Sequence, residues 1–196
     1  MTKAEQTKQM ILEKAAIIYN EKGINGSSID DVLAAAKVTK GCLYSHFENK
    51  EDLSVQTAEY LLNKIVYGIE QAMMKPKTAK GKIIAFIEFY KFPLNSYIQG
   101  GCPIINLATE VDDNHKTIKN KVDKIMIQAT TELKNILETG KKNGEFSEAL
   151  DAEVFAFKIF SSIEGGMVTC RVLNVNAPMQ GLIKSLKQEL ETYCLN

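Results

Sequence analysis

The segment Val38–Leu53, with the sequence VTKGCLYSHFENKEDL, carries polar, basic and aromatic side chains around a glycine. If it were buried, every hydroxyl and imidazole would need a partner, because an unpaired buried polar group costs about 1 to 3 kcal/mol. An exposed helix with these side chains can instead contact phosphates and base edges of DNA. The candidates for such contacts are Thr39, Lys40, Gly41, Tyr44, His46 and Lys50.

Two short helices must position these side chains. Ser28 and Asp31 match a capping box at the beginning of the first one. Thr39 is a suitable N-cap for the second, in which Leu43 and Phe47 lie four residues apart and face inward. Short capped helices joined by a turn of about four residues, after a first amphipathic helix, are typical of a helix-turn-helix. The second helix would then lie in the major groove, and its beginning would favour phosphate through free amides and the helix dipole.

The rest of the chain is also predicted to be helical. Apolar residues at spacings of three and four indicate a first helix that ends at Gly23 and a fourth helix from Lys50 to about Met74, which Pro76 terminates. Similar patterns follow in TAKGKIIAFIEFYKFP, GGCPIINLATEVDD, HKTIKNKVDKIMIQATTELKNILETGKK and DAEVFAFKIFSSIEGGMVTCRVL. No alternating strand pattern or repeat competes with them. We therefore expect an all-α protein with an N-terminal three-helix domain over residues 1–48 and a C-terminal helical domain over 49–196.

Composition limits the classes of function. Hydrophobic residues make up 45% and charged residues 24% of the 196 residues, as in ordinary globular proteins. The formal net charge is zero, so a surface for nucleic acid must be a local patch. No apolar run is long enough for a signal peptide or a membrane span, which favours a cytoplasmic protein with free cysteines.

The stretch SIDDVLAAAKVTKGCLYSHFENKEDL resembles the DNA-binding signature of the TetR family of transcriptional regulators. The resemblance implies an all-helical homodimer with an N-terminal DNA-binding domain and a variable C-terminal domain that binds a small effector and dimerises. We therefore expect a repressor that a small, largely apolar effector releases from a palindromic operator. Cys42 departs from the usual Thr, Ala or Ser of the signature. The DNA contacts expected on this basis are Ser27, Ser28, Thr39, Lys40, Gly41, Tyr44, His46 and Lys50.

The C-terminal domain supplies more aromatic and aliphatic side chains than one stripe per helix requires, which favours an effector cavity with few polar groups. Adjacent glycines in the apolar eighth helical segment indicate a close contact between helices, as in a dimer interface formed by the segments His115–Lys142 and Asp151–Leu173. Close packing within one chain is the alternative. The expected effector contacts are Tyr60, Phe86, Phe89, Tyr90, Cys102, Asn106, Thr109 and Met126; the expected dimer contacts are Ile125, Leu133, Phe155, Ile159, Ser162, Gly166 and Cys170.

Other functions compete with this interpretation, among them a helical interaction module that does not bind DNA. A thiol-based redox-sensing regulator is the alternative, because Cys42 would lie near a helix end that lowers a thiol pKa. An enzyme is disfavoured, because the sequence has no nucleophile elbow, phosphate-binding glycine loop or metal-ligand spacing, and no cofactor is expected. The acidic cluster at Glu110, Asp112 and Asp113, near His115, is interpreted as flanking and capping the following helix and not as a metal site.

Overall fold

The computed structural model describes residues 1–111 and 115–195, and no strand occurs among them beyond one isolated bridge between Phe146 and Cys194. The all-α prediction is confirmed. A short 3-10 turn spans Pro93–Asn95. The helices are α1 Lys3–Lys22, α2 Ile29–Ala36, α3 Lys40–Tyr44, α4 Lys50–Met74, α5 Ala79–Phe89, α6 Pro103–Glu110, α7 Lys116–Lys142, α8 Ala152–Leu173 and α9 Ala177–Thr192.

Local capping fixes the helices that surround the candidate site. Ser28 and Asp31 form the predicted capping box of α2. The Thr39 side chain accepts a hydrogen bond from the backbone N–H of Cys42, and Asn49 accepts one from Asp52 N at 2.9 Å. The predicted beginnings of α2, α3 and α4 are thus confirmed. Helix α3 has only five residues, which is less than two full turns.

The chain forms two compact units, Met1–Ile65 with Ile98–Asp123 and Val66–Tyr97 with Lys124–Asn196. The first unit includes residues 1–48 and extends beyond them to α6, which packs against α1. Its core includes Ile11, Ala15, Val32, Leu43 and Phe47, all at most 1% exposed. This core joins α1, α2 and α3 into one rigid support for the outer face of α3.

The second unit is organised around α8 and α9, and α9 was not anticipated from the sequence. Ile159 and Ile163 of α8 and Ile183 and Leu186 of α9 are buried. Ion pairs join α5 to α9, with Lys187 Nζ 2.8 Å from Glu88 Oε1. Within the described ranges, none of the helices has both the length and the apolar composition that a membrane crossing requires.

Candidate nucleic-acid interface

The outer face of α3 is exposed, while its inner face is locked into the first unit. Leu43 is fully buried and Phe47 is 1% exposed, so the rotation of α3 about its own axis is fixed. Thr39, Lys40 and Gly41 are consequently on the surface, and Tyr44 is 40% exposed. Because α3 is short, its dipole is small, and the exposed side chains matter more than the helix end itself.

Nothing in the fold of the chain requires a glycine at position 41. Its φ is not positive, and a Cβ built on it would have no heavy atom within 4 Å beyond its immediate surroundings. Glycine within a helix costs roughly 0.5 to 1 kcal/mol relative to alanine. The missing side chain at this open surface position leaves room for another molecule to approach the backbone of α3 closely.

Lys50 and Ser27 are joined in the structure. The Lys50 ammonium donates to the Ser27 carbonyl oxygen at 2.8 Å, which fixes the lysine next to the beginning of α2. An ammonium has three protons, so two remain available for a phosphate. Ser27 itself is only 3% exposed, and its hydroxyl donates to the Gly23 carbonyl. The side chain of Ser27, an expected DNA contact, therefore belongs to the core of the α1–α2 turn.

Ser28 is exposed but occupied by its cap. Its hydroxyl donates to Asp31 Oδ2 at 2.6 Å and accepts from Asp31 N at 3.1 Å. These bonds hold the pKa of the Asp31 carboxyl well below its usual range, and the Lys22 ammonium makes a smaller contribution in the same direction. Ser28 is thus chiefly a helix cap at the surface. His46, in contrast, is half-buried just beyond α3.

Glu110 has a role that the sequence did not indicate. Its carboxylate accepts hydrogen bonds from Ile24 N at 2.8 Å and from Asn25 N at 2.6 Å, in the turn that leads from α1 to α2. The expectation that Glu110 caps the following helix was wrong, because its side chain is engaged by this turn. Asp112 and Asp113, which shared that expectation, lie outside the described residues.

His115 lies near the same turn. Its Nε2 is 3.4 Å from Asn25 Oδ1, and its Nδ1 is 3.5 Å from Glu51 Oε2. Among the described residues, no three His, Cys, Asp or Glu side chains are grouped so that they could hold a metal ion.

The polar residues that were expected to orient an effector have structural partners instead. The Asn106 side-chain amide donates to Asn20 O, Asn20 Oδ1 and Gly100 O, each at 3.0 Å. Thr109 is exposed, and its hydroxyl donates to backbone carbonyls of α6. The Asn106 side chain therefore holds α6 against the end of α1, whereas the Thr109 hydroxyl bonds to carbonyls of its own helix.

The other expected effector contacts are divided between the two units. Cys102 is buried at the beginning of α6, and Tyr60 is half-buried on α4 with Lys64 over its ring at 5.7 Å. In the second unit, Phe86 and Phe89 pack on Tyr90 with ring centroids 5.5 and 5.1 Å apart. Met126 of α7 is half-buried. The second unit thus contains an aromatic cluster, which Tyr97 extends through Phe89 at 5.4 Å.

Most of the expected dimer contacts are used within the chain. A Cβ on Gly166 would lie 2.9 Å from Met179 Cε and 3.1 Å from Leu182 Cδ2, so this glycine allows α9 to pack on α8. Ile125 and Ser162 are half-buried. Leu133, Phe155, Ile159 and Cys170 are at most 4% exposed.

A different face of α8 is apolar and exposed. Val154, Phe157, Val168 and Val172 are 63%, 65%, 44% and 79% exposed, and they recur at helical spacing on one side. Gly165 lies on the same side with nothing within 4 Å of an added Cβ. We call these five residues the α8 outer stripe. An exposed, mainly apolar helix face of this kind is typical of an interface with another protein.

Comparison with known proteins agrees with this arrangement. A family model described as "Bacterial regulatory proteins, tetR family" matches residues 11–56, and one described as "Tetracyclin repressor-like, C-terminal domain" matches residues 79–186. The HTH-type transcriptional repressor DhaR of Mycobacterium sp. (strain GP1) is 22% identical over 173 residues, which cover 88% of this chain and 86% of that protein.

Two further similarities extend over most of the chain. The fatty acid metabolism regulator protein of Bacillus subtilis (strain 168) is 25% identical over 159 residues, 81% of this chain and 80% of that protein. The crystal structure of a TetR transcriptional regulator from Chloroflexus aurantiacus J-10-FL aligns with a TM-score of 0.93 and 28% identity, covering 99% of this chain and 98% of that one.

Proposed function

Because the chain belongs to the TetR family of bacterial regulatory proteins, and is a transcriptional regulator and not an enzyme, we propose a specific mode of action for it. It represses transcription by binding a palindromic operator as a homodimer, and a small, largely apolar effector releases it. The observation that carries the proposal is the outer face of α3, where Lys40, Gly41 and Tyr44 are exposed on a helix that is fixed from behind by Leu43 and Phe47.

The contacts follow from the chemistry of these side chains. Lys40 can donate to guanine O6 and N7 or to a phosphate, and Tyr44 can reach a phosphate or an apolar base edge. The open Gly41 lets the backbone of α3 approach the DNA. Lys50, fixed by the Ser27 carbonyl, adds a phosphate contact beside α3. Thr39 and His46 complete the proposed set, while Ser27 and Ser28 act by shaping the turn before α2.

The α8 outer stripe supports a homodimer. Exposing four large apolar side chains is unfavourable at about 25 cal/mol per Å², so a second copy that covers them gains free energy. Pro178, Gly181 and Ser185 give α9 an exposed edge of small residues, which permits a close approach. We therefore propose that α8 and α9, and not α7 and α8, form the interface of a four-helix bundle. A two-fold dimer whose two α3 helices enter successive major grooves requires operator half-sites about 34 to 36 Å apart.

Two observations support an apolar effector. The second unit holds the Phe86, Phe89 and Tyr90 cluster, and apolar lining with few polar groups is typical of small-molecule sites. One relative is named a fatty acid metabolism regulator, and another a transcriptional repressor. Suppose that the effector shifts the ratio of the DNA-binding state to the released state from 99:1 to 1:99. It must then bind the released state more tightly than the DNA-binding state, by about 5.5 kcal/mol.

Selection of bound duplexes from a random pool tests DNA binding and operator symmetry together. The proposal predicts an inverted repeat with half-sites about one helical turn apart. Medium- and long-chain fatty acids can then be titrated into the complex. Recovery of no preferred sequence would contradict an operator-specific regulator, and release by polar compounds alone would contradict an apolar effector.

The Gly41→Ala variant tests the interface without weakening the fold. Alanine favours the helix and meets no atom within 4 Å, so the Tm should be equal or higher. Operator affinity should nevertheless fall, because the added methyl group separates α3 from the DNA. Asn63→Ala on α4 is the control, since it also places an alanine at an exposed helical position but outside the proposed interfaces, and it should retain affinity and the dimer. Undiminished binding by Gly41→Ala would place the DNA elsewhere.

A further inference from the structure

Lys37 has a left-handed backbone that its residue type disfavours. Its φ is 54° and its ψ is 43°, at the end of α2. Among the described residues the only other non-glycine with positive φ is Asn174, at 53°, and asparagine is a side chain that tolerates this region. The remaining left-handed or positive-φ positions are glycines, namely Gly23, Gly100, Gly101 and Gly144.

The first unit gains little from a lysine at this position. The backbone N–H of Lys37 donates to the Leu33 carbonyl and ends α2, and a glycine would make the same bond. The side chain is exposed, and within residues 1–111 and 115–195 no hydrogen bond or ion pair engages its ammonium. Glycine would therefore preserve the turn and remove the left-handed penalty.

The position of Lys37 indicates what the side chain is for. It lies in the turn that joins α2 to α3, two residues before the cap Thr39 and three before Lys40. The nearest acid on α2, Asp31, is paired with Lys22 at 3.0 Å, so it does not neutralise this end of the helix. DNA phosphates are bound by lysines that flank the element in the groove, and such contacts carry affinity without reading sequence.

We propose that Lys37 is a further DNA-binding residue, whose ammonium binds a phosphate beside the groove that α3 enters. The inference rests on the DNA-binding function proposed above. Glycine would suit the backbone of this turn better, but it has no side chain that could bind the phosphate. Lys37 thus contributes affinity for every duplex, in contrast to a residue that reads a base.

The test compares four variants, with binding to a labelled operator duplex from the pool selection and to an unselected duplex measured between 50 and 200 mM salt. Lys37→Gly should raise the Tm by about 2 to 4 °C and yet weaken both complexes. Each lost phosphate contact lowers the slope of log affinity against log salt by about 0.9, and a dimer loses two such contacts. The ratio of wild-type to variant affinity should therefore fall about 12-fold between 50 and 200 mM salt. Lys37→Arg should bind like the wild type.

Two controls separate the phosphate contact from other effects. Asn174→Gly relieves the other left-handed position and should leave DNA binding unchanged. Lys124→Gln removes an exposed charge from α7 and should leave the salt slope unchanged.

Several outcomes would overturn the inference. A wild-type salt slope for Lys37→Gly would exclude the phosphate contact, and an equal change in Lys124→Gln would reduce the effect to net charge. A lower Tm for Lys37→Gly would show that the fold itself needs the lysine. Failure of the wild type to bind any duplex would refute the proposed function as well, whereas the other outcomes leave that function intact.

Discussion

Replacing Glu110 should destabilise the turn between α1 and α2, although Glu110 belongs to α6. Its two carboxylate oxygens accept from Ile24 N at 2.8 Å and from Asn25 N at 2.6 Å. Ile24 is 2% exposed, so water cannot readily replace the lost partner of its amide. The Glu110→Ala variant removes both acceptors, whereas Glu110→Gln leaves one neutral oxygen and turns an amide group toward the second N–H.

The magnitude follows from the burial of the two bonds. A hydrogen bond to a charged group contributes about 1.5 to 3 kcal/mol, and an unsatisfied buried donor costs about 1 to 3 kcal/mol. The bond to Asn25 is exposed and counts for less. We therefore expect Glu110→Ala to lower the free energy of unfolding by about 2 to 3 kcal/mol and Glu110→Gln by about 1 to 2 kcal/mol. The larger change corresponds to a fall in Tm of roughly 4 to 12 °C.

Urea unfolding followed by circular dichroism gives the free energies, and amide hydrogen exchange at Ile24 and Asn25 reports on the turn directly. Glu48→Gln is the matched control, because Glu48 is an exposed carboxylate of the same unit. Exchange should accelerate at both amides in the Glu110 variants alone. A Glu110→Ala variant as stable as Glu48→Gln, with unchanged exchange, would refute the assigned role.

Three further predictions concern the second unit and α3. Gly166→Val should lower the free energy of unfolding by about 1 to 3 kcal/mol more than Gly165→Val, because only the former adds bulk against Met179 and Leu182; coincident unfolding curves would contradict this. Phe157→Glu should give monomers in sedimentation at micromolar concentration, while Ile127→Glu on α7, where the side chain is 58% exposed, should remain dimeric; the reverse result would restore the α7–α8 interface. The redox alternative predicts that mild peroxide releases the wild type from its operator, that reductant restores binding, and that Cys42→Ser is insensitive; an oxidised wild type that stays bound rules it out.

Helix boundaries could be predicted because the forces that set them are local. The Thr39 hydroxyl caps an amide three residues away, and the Ser28 and Asp31 box acts over the same distance. Gly23 ends α1 with a φ of 80°, a conformation that glycine adopts without a steric penalty. The residues of each interaction lie within one helical turn of each other, so both partners are close together in the sequence.

The roles of polar side chains could not be predicted, because their partners are distant in sequence. Asn106 meets Asn20 and Glu110 meets Ile24, each across a separation of 86 residues. An asparagine or a glutamate at these positions is equally compatible with an effector site and with a helix cap. Ser27 is a different case, since its acceptor, the Gly23 carbonyl, lies only four residues away. The α1–α2 turn directs the hydroxyl at this position inward, and this turn was the feature of the sequence that could have indicated the bond.

The adjacent glycines Gly165 and Gly166 lie on two different apolar faces of α8. Adjacent residues differ by about 100° around a helix axis, so Gly165 and Gly166 cannot serve the same neighbour. Gly166 admits Met179 and Leu182 of α9, whereas Gly165 opens onto solvent between Phe157 and Val168. One chain therefore covers one side of α8 and leaves the opposite side apolar. Covering that side requires a second surface of similar character, and in the homodimer proposed above the α8 outer stripe of the second copy supplies one under two-fold symmetry.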